Sequence, residues 1–224
     1  MNHAKPSALI ALARTRRVQR ALAHAYLHRG APMPTLRLSL GFMTATVRTG
    51  QEVDGTGHHM TVLGVAANVL YVVEELGCGE APIVYRMYLE GPRAGHLVPI
   101  HAWYETNPSP AEIRARIDRL VLAPCAPTTT EAWMLSTRIV QRRAVRIEGQ
   151  DAPIRKFALQ IRVEPVSGLG ANGATTVTAF LRAEAQLDCV LVLPGERGMV
   201  ARVTYTGVPS GLGLPKQTVV LLSE

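Results

Sequence analysis

Hydrophobic and polar positions alternate most regularly toward the C-terminus. From residue 157 onward the segments KFALQIRV, TTVTAFLR, LDCVLVL, MVARVTYT and QTVVLL are rich in β-branched residues, with turn-forming residues between them. This pattern predicts an antiparallel sheet of about five strands over 157–224. The link Pro194-Gly195-Glu196-Arg197-Gly198 suits a hairpin loop. Two further links, VSGLGANG at 166–173 and VPSGLGLPK at 208–216, share the tetrapeptide SGLG.

Earlier in the chain the apolar spacing reads as helical. Residues 7–28 place Ala11, Val18, Leu22, Ala25 and Tyr26 on one side of a helix, with Arg14, Arg16, Arg17, Arg20, His24 and His28 on the opposite arc. Ser7 is its N-cap, and Gly30 stops it before Pro32 and Pro34. A strand over 35–47 follows the proline-bearing linker. The apolar run 60–76 reads as a buried helix, with its β-branched valines leaving a strand pair open as the alternative, and residues 83–90 read as a strand. Ser109, Pro110 and Glu112 have the spacing of a capping box and predict a helix to about residue 122. Thr128 and Glu131 repeat that spacing and predict a second helix to about residue 142. Joined by the prolines at 124 and 127, the two would form a helical hairpin.

The expected fold is therefore α+β: an N-terminal basic amphipathic helix, a mixed middle with a helical hairpin, and an antiparallel C-terminal sheet. Its expected division is a basic arm and linker at 1–34 and a single domain at 35–224, strand/helix-mixed over 35–156 and all strand beyond. A chain of 224 residues, 47% hydrophobic and 18% charged, has the composition of a folded domain with a real core.

Charge changes the picture because it is lopsided. Eight of the 24 cationic residues precede the first carboxylate, Glu52, and the rest of the chain carries 16 cations against 17 carboxylates. Such an asymmetry points to an anionic partner at the N-terminal end. A helical stripe of arginines presents guanidinium groups to successive phosphates. Arg14, Arg16, Arg17, Arg20 and Arg29 are the first candidates for nucleic-acid contacts. A second basic cluster supplies Arg138, Arg142 and Arg143, with Arg146, Arg155, Lys156 and Arg162 around them. Arg138 and Arg142, four apart, share a face in the helical reading. With Tyr26 the only aromatic near the first stripe, binding would rest on the phosphate backbone and carry little sequence preference.

Other chemistry is sparse. The SGLG loops run from strand to strand, so hairpin connection is the better reading than phosphate cradle. The stretch GLGLPK resembles the glycine-rich loop near the C-terminus of repeat-associated CRISPR RNA-binding proteins over six residues; residues 217–222 lack the glycines of that pattern, and no family is assigned from it. His24 and His28 have zinc-pair spacing, but Ala25 stands where a metalloprotease helix carries glutamate and arginines surround the pair. His58 and His59, near Glu52 and Asp54, and His96 and His101, near Trp103 and Glu105, are the acid–base candidates, with no nucleophile in a recognisable frame. No catalytic residue, metal or cofactor is expected.

The three cysteines Cys78, Cys125 and Cys189 contain no CxxC pair and suit a reducing compartment. The longest apolar run is too short to span a bilayer. The arginine-rich start resembles an organellar transit peptide and is taken as retained, which places the protein in the cytoplasm. The expectation is a non-catalytic nucleic-acid-binding subunit of a larger nucleoprotein assembly, binding RNA or DNA and other protein subunits, with a membrane surface as a lesser partner. The alternatives are a structural subunit of a virion-like or other homo-oligomeric assembly, and a small hydrolase using a loop histidine.

Overall fold

The apolar run at 60–76 folds as a hairpin rather than a helix. Strand β1 (His59–Ala66) returns as β2 (Val69–Glu75) through the two-residue turn Ala67-Asn68, with Ala67 at φ 51. Both faces of this hairpin are covered. Leu70 and Val72 pack in one core cluster, and Val73 packs in another with Val84 and Ile113. A strand buried on both sides loses its apolar–polar alternation, which is why the run carries a helix-like signal. Gly64 is required here: at φ 142, a Cβ would stand 2.6 Å from the carbonyl oxygen of Ala123, where Val65 and Ala123 exchange backbone hydrogen bonds.

A computed structural model of the chain describes residues 58–76, 80–147, 152–195, 197–208 and 213–224. The expected N-terminal helix and its arginines Arg14, Arg16, Arg17, Arg20 and Arg29, the strand at 35–47 and the domain boundary at 34 lie outside the described residues. Strands β3 (Ile83–Tyr88) and β4 (Leu97–Pro99) complete an antiparallel sheet in the order β1-β2-β3-β4. Helix α1 (Pro110–Ile117) lays Ile113 against the outer side of that sheet. Its capping box is closed: Ser109 Oγ accepts from Glu112 N, and Glu112 accepts from Ser109 N at 2.7 Å.

The expected helical hairpin is absent from the described residues. Thr128 pairs with Val190 as the end of β5 (Ala126–Thr128) instead of capping a helix. Residues expected to be helical form the 13-residue strand β6 (Trp133–Val145). Trp133 and Leu135 pack from it against the core, and twelve cross-strand pairs tie it to β7 (Ile154–Pro165). Long-range pairing overrides the local capping signal.

The five C-terminal segments are strands but do not make one sheet. β7 and β8 (Gly173–Phe180) join β6 in the order β6-β7-β8. β9 (Ala185–Val192), β10 (Met199–Val208) and β11 (Leu214–Leu222) join β5 in the order β11-β10-β9-β5. Three antiparallel sheets and a single α-helix among the described residues thus replace the α+β expectation. The second sheet lies between the other two. Val200 and Val219 face the first sheet with Met60, Leu70 and Met87, while Ala201, Val203 and Val220 face Phe157, Leu159, Ile161 and Val163 of β7. Among the described residues no helix is long and apolar enough to cross a membrane.

Candidate functional site

Two regions concentrate polar chemistry: a buried seam between the first and second sheets, and the outer face of the third.

The seam is built around Glu74, only 1% exposed. The alternation of β2 puts Glu74 on the same face as Leu70 and Val72, so its carboxylate enters the interior. His58 Nδ1 donates to Oε1 at 2.9 Å, Lys216 Nζ reaches the same oxygen at 3.0 Å, and Tyr85 Oη donates to Oε2 at 2.6 Å. Burial pushes the Glu74 carboxyl up. The His58 hydrogen bond, the Lys216 charge and the Tyr85 hydroxyl outweigh it and hold the carboxyl at about 2, below its ordinary 4.5. Burial, then the Glu74 charge, pushes the Tyr85 phenol far above its ordinary 10.0.

In the second sheet, Asp188 accepts from Thr204 Oγ1 at 2.7 Å and from Gln217 Nε2 at 2.8 Å. Burial raises its pKa against those bonds and the nearby Arg202 charge. Gln217 Oε1 and Arg202 Nη1 take up the backbone N–H and carbonyl of Met60. Side chains of the second sheet therefore satisfy backbone groups at the start of β1, next to the backbone bond from His58 N to the Pro215 carbonyl. Every partner of Glu74 converges on one carboxylate, and both its oxygens are engaged. The seam is chemically a clasp joining two sheets.

The outer face of the third sheet differs. Register and alternation place Phe157, Leu159, Ile161 and Val163 inward, so Lys156, Ala158, Gln160, Arg162 and Glu164 point outward. On β6 a bulge falls between Ile139 and Gln141. Before it, Met134, Ser136 and Arg138 share the outer face; after it, Gln141 and Arg143 do. Arg142 pairs with Phe157 and turns to the inner side, its guanidinium 5.5 Å from the Phe157 ring. The bulge thus separates Arg142 from Arg138 and Arg143, correcting the shared face expected for Arg138 and Arg142.

Arg138, Arg143, Lys156 and Arg162 stand on this face against one carboxylate, Glu164, which pairs with Arg162 at 2.9 Å. Among the described residues no carboxylate pairs with Arg138, Arg143 or Lys156. A cavity of about 180 Å³ opens between Gln141, Arg143, Lys156, Ala158 and Thr178. Ser136, Thr176 and Thr178 add hydroxyl groups on this side of the sheet.

The histidines separate. His58 is buried on Glu74; Glu52 and Asp54, expected to orient it, lie outside the described residues. His59, His96 and His101 are exposed. His24 and His28 also lie outside. Among the described residues no three His, Cys, Asp or Glu side chains are placed to hold a metal ion. Sequence reading missed Glu74, Tyr85 and Lys216. The available signal was a carboxylate at the core parity of an apolar run, two residues after Val72. Compared with protein-family models, curated proteins and solved structures, the chain shows no match.

Proposed function

We propose that the protein binds nucleic acid through arginine and lysine contacts to the phosphate backbone, without catalysis, as a subunit of a nucleoprotein assembly. The observation that carries this reading is the outer face of β6-β7-β8, where Arg138, Arg143 and Lys156 have no carboxylate partner among the described residues and Arg162 stands beside them. Cations left unneutralised on one flat face release counterions when they meet phosphates, which makes affinity salt-dependent. Arg14, Arg16, Arg17, Arg20 and Arg29 supply a second set of contacts from the N-terminal segment, and Arg142 supports β6 from its inner side. Free Cys125 and Cys189 fit a reducing cytoplasmic setting.

The test is fluorescence anisotropy of labelled single- and double-stranded RNA and DNA with the full chain at several salt concentrations. Affinity falls steeply as salt rises. Replacing Arg138, Arg143, Lys156 and Arg162 by glutamine weakens binding to all sequences and lowers the salt slope by about one per lost phosphate contact. The same substitutions at Arg14, Arg16, Arg17 and Arg20 add to the loss. Binding that ignores salt, or that survives both sets unchanged, overturns the reading.

One observation favours a second reading, a homo-oligomeric structural subunit. β6 is an edge strand of 13 residues with Met134, Ile139 and Val140 exposed, and such an edge can pair with another copy. A concentration-dependent oligomer that persists in high salt and after nuclease, and is lost on Val140→Lys, supports it; a monomer at all concentrations removes it.

A further inference from the structure

The third sheet's outer face is organised in rows, and one row is unusual. Arg143 of β6 pairs with Lys156 of β7, and Lys156 pairs with Phe180 of β8. Two cations directly opposite one another on the same face repel and destabilise the pair. Nothing described relieves that repulsion with negative charge. Instead the Gln141 carboxamide, with its oxygen turned to the guanidinium, accepts from Arg143 Nη2 at 2.7 Å and Nε at 3.2 Å. This steadies the guanidinium without neutralising it. The 180 Å³ cavity opens at the two cations, and Thr178 lines its far side. An anion seated there would meet two positive charges and a hydroxyl donor, and would remove the like-charge contact.

Phe180 completes the row. It follows the fully buried Ala179, so by alternation it belongs to the outer face beside Lys156, where it is half-buried and not part of the sandwich core. Adjacent strands are spaced about 4.8 Å, which puts Phe180 roughly 5 Å from Lys156 and roughly 10 Å from Arg143 along the row. A cation pair with an aromatic ring at that separation suits one nucleotide: phosphate between the cations, base against the ring. A duplex keeps its base faces stacked inside and can use only the cations.

From this row we infer that the Gln141–Arg143–Lys156–Thr178 cavity seats a phosphate of single-stranded nucleic acid, with the neighbouring base stacked on Phe180. The inference rests on the nucleic-acid reading above and narrows it to unpaired strands.

The experiment uses the full chain, a fluorescein-labelled oligouridylate of about a dozen nucleotides, and an RNA duplex of the same length, since a stacking ring of this kind tolerates any base. The native protein binds the single strand more tightly. Phe180→Leu weakens single-strand binding by about fivefold or more while duplex binding stays nearly unchanged, and Phe180→Trp restores the single-strand affinity. The double variant Arg143→Gln/Lys156→Gln weakens both probes and lowers the salt slope by about two. Thermal melts of each variant verify that it is folded. If nucleic acid binds but Phe180→Leu is silent, or the duplex is preferred, the stacked phosphate seat is wrong and the broader reading stands. Absence of binding to either probe removes both.

Discussion

Lys216 and Lys156 both sit on β-strands of the same unit, yet their surroundings are opposite. Lys216 reaches a buried carboxylate that also holds a histidine and a tyrosine. Lys156 faces an arginine across the strand pair, with no carboxylate in contact among the described residues. At the seam the charge of Lys216 is matched by a buried carboxylate, and the pairing joins two sheets. On the outer face the charge of Lys156 has no carboxylate partner among the described residues and stands opposite a second cation. A cation's role here follows from what stands opposite it, not from its presence in a basic segment.

The largest effect that would test this contrast is loss of the seam carboxylate. Glu74→Gln leaves the buried His58 and the part-exposed Lys216 without their anion and should destabilise the fold by about 3 kcal/mol, read from the urea midpoint. If its cost is no greater than that of an exposed substitution, the clasp account fails.

Acid titration comes next. The Glu74 carboxyl is held at about 2 in the folded protein against an ordinary 4.5. A depressed folded-state value means that the stabilisation is complete above the ordinary value and is lost as pH falls from about 4.5 toward 2. Urea midpoints of the native protein should therefore drop over that window, and those of Glu74→Gln should drop less. Parallel pH profiles for the two proteins would contradict the assignment.

The smallest effect sharpens the contrast. Lys156→Gln removes a like-charge contact and engages no carboxylate, so stability should stay the same or rise by a few tenths of a kcal/mol, on the scale of surface changes. Loss of a kcal/mol or more would mean that Lys156, like Lys216, is a structural charge.

Several elements were legible because their signals are local. The Ser109–Glu112 capping box depends on four consecutive residues, and it forms as spaced. The hairpin link at 194–198 joins β9 to β10, which pair antiparallel. The SGLG loop at 166–173 joins β7 to β8 and opens no helix. β6 shows the opposite case. Trp133, Leu135, Thr137 and Ile139 do alternate at period two, but the Thr128–Glu131 spacing competes with them, and only pairing to β7 decides between the two.

The site was less legible than the fold. Arg138 and Arg143 are visible in the sequence as basic residues, but their common face depends on an extra residue inserted at Val140, and that insertion is a property of the β6–β7 register. Glu74 is visible as a carboxylate, but its partners come from the residue before β1, from β3 and from β11.

By itself the sequence determined the strand-rich C-terminal segments, the start of α1 and the uneven placement of cations, because period, capping chemistry and charge are written residue by residue. The tertiary structure decided that 60–76 is a hairpin, that the C-terminal strands divide between two sheets, and which cations have a counter-charge. Those outcomes depend on burial from both sides and on strand register, which are fixed only when distant segments meet.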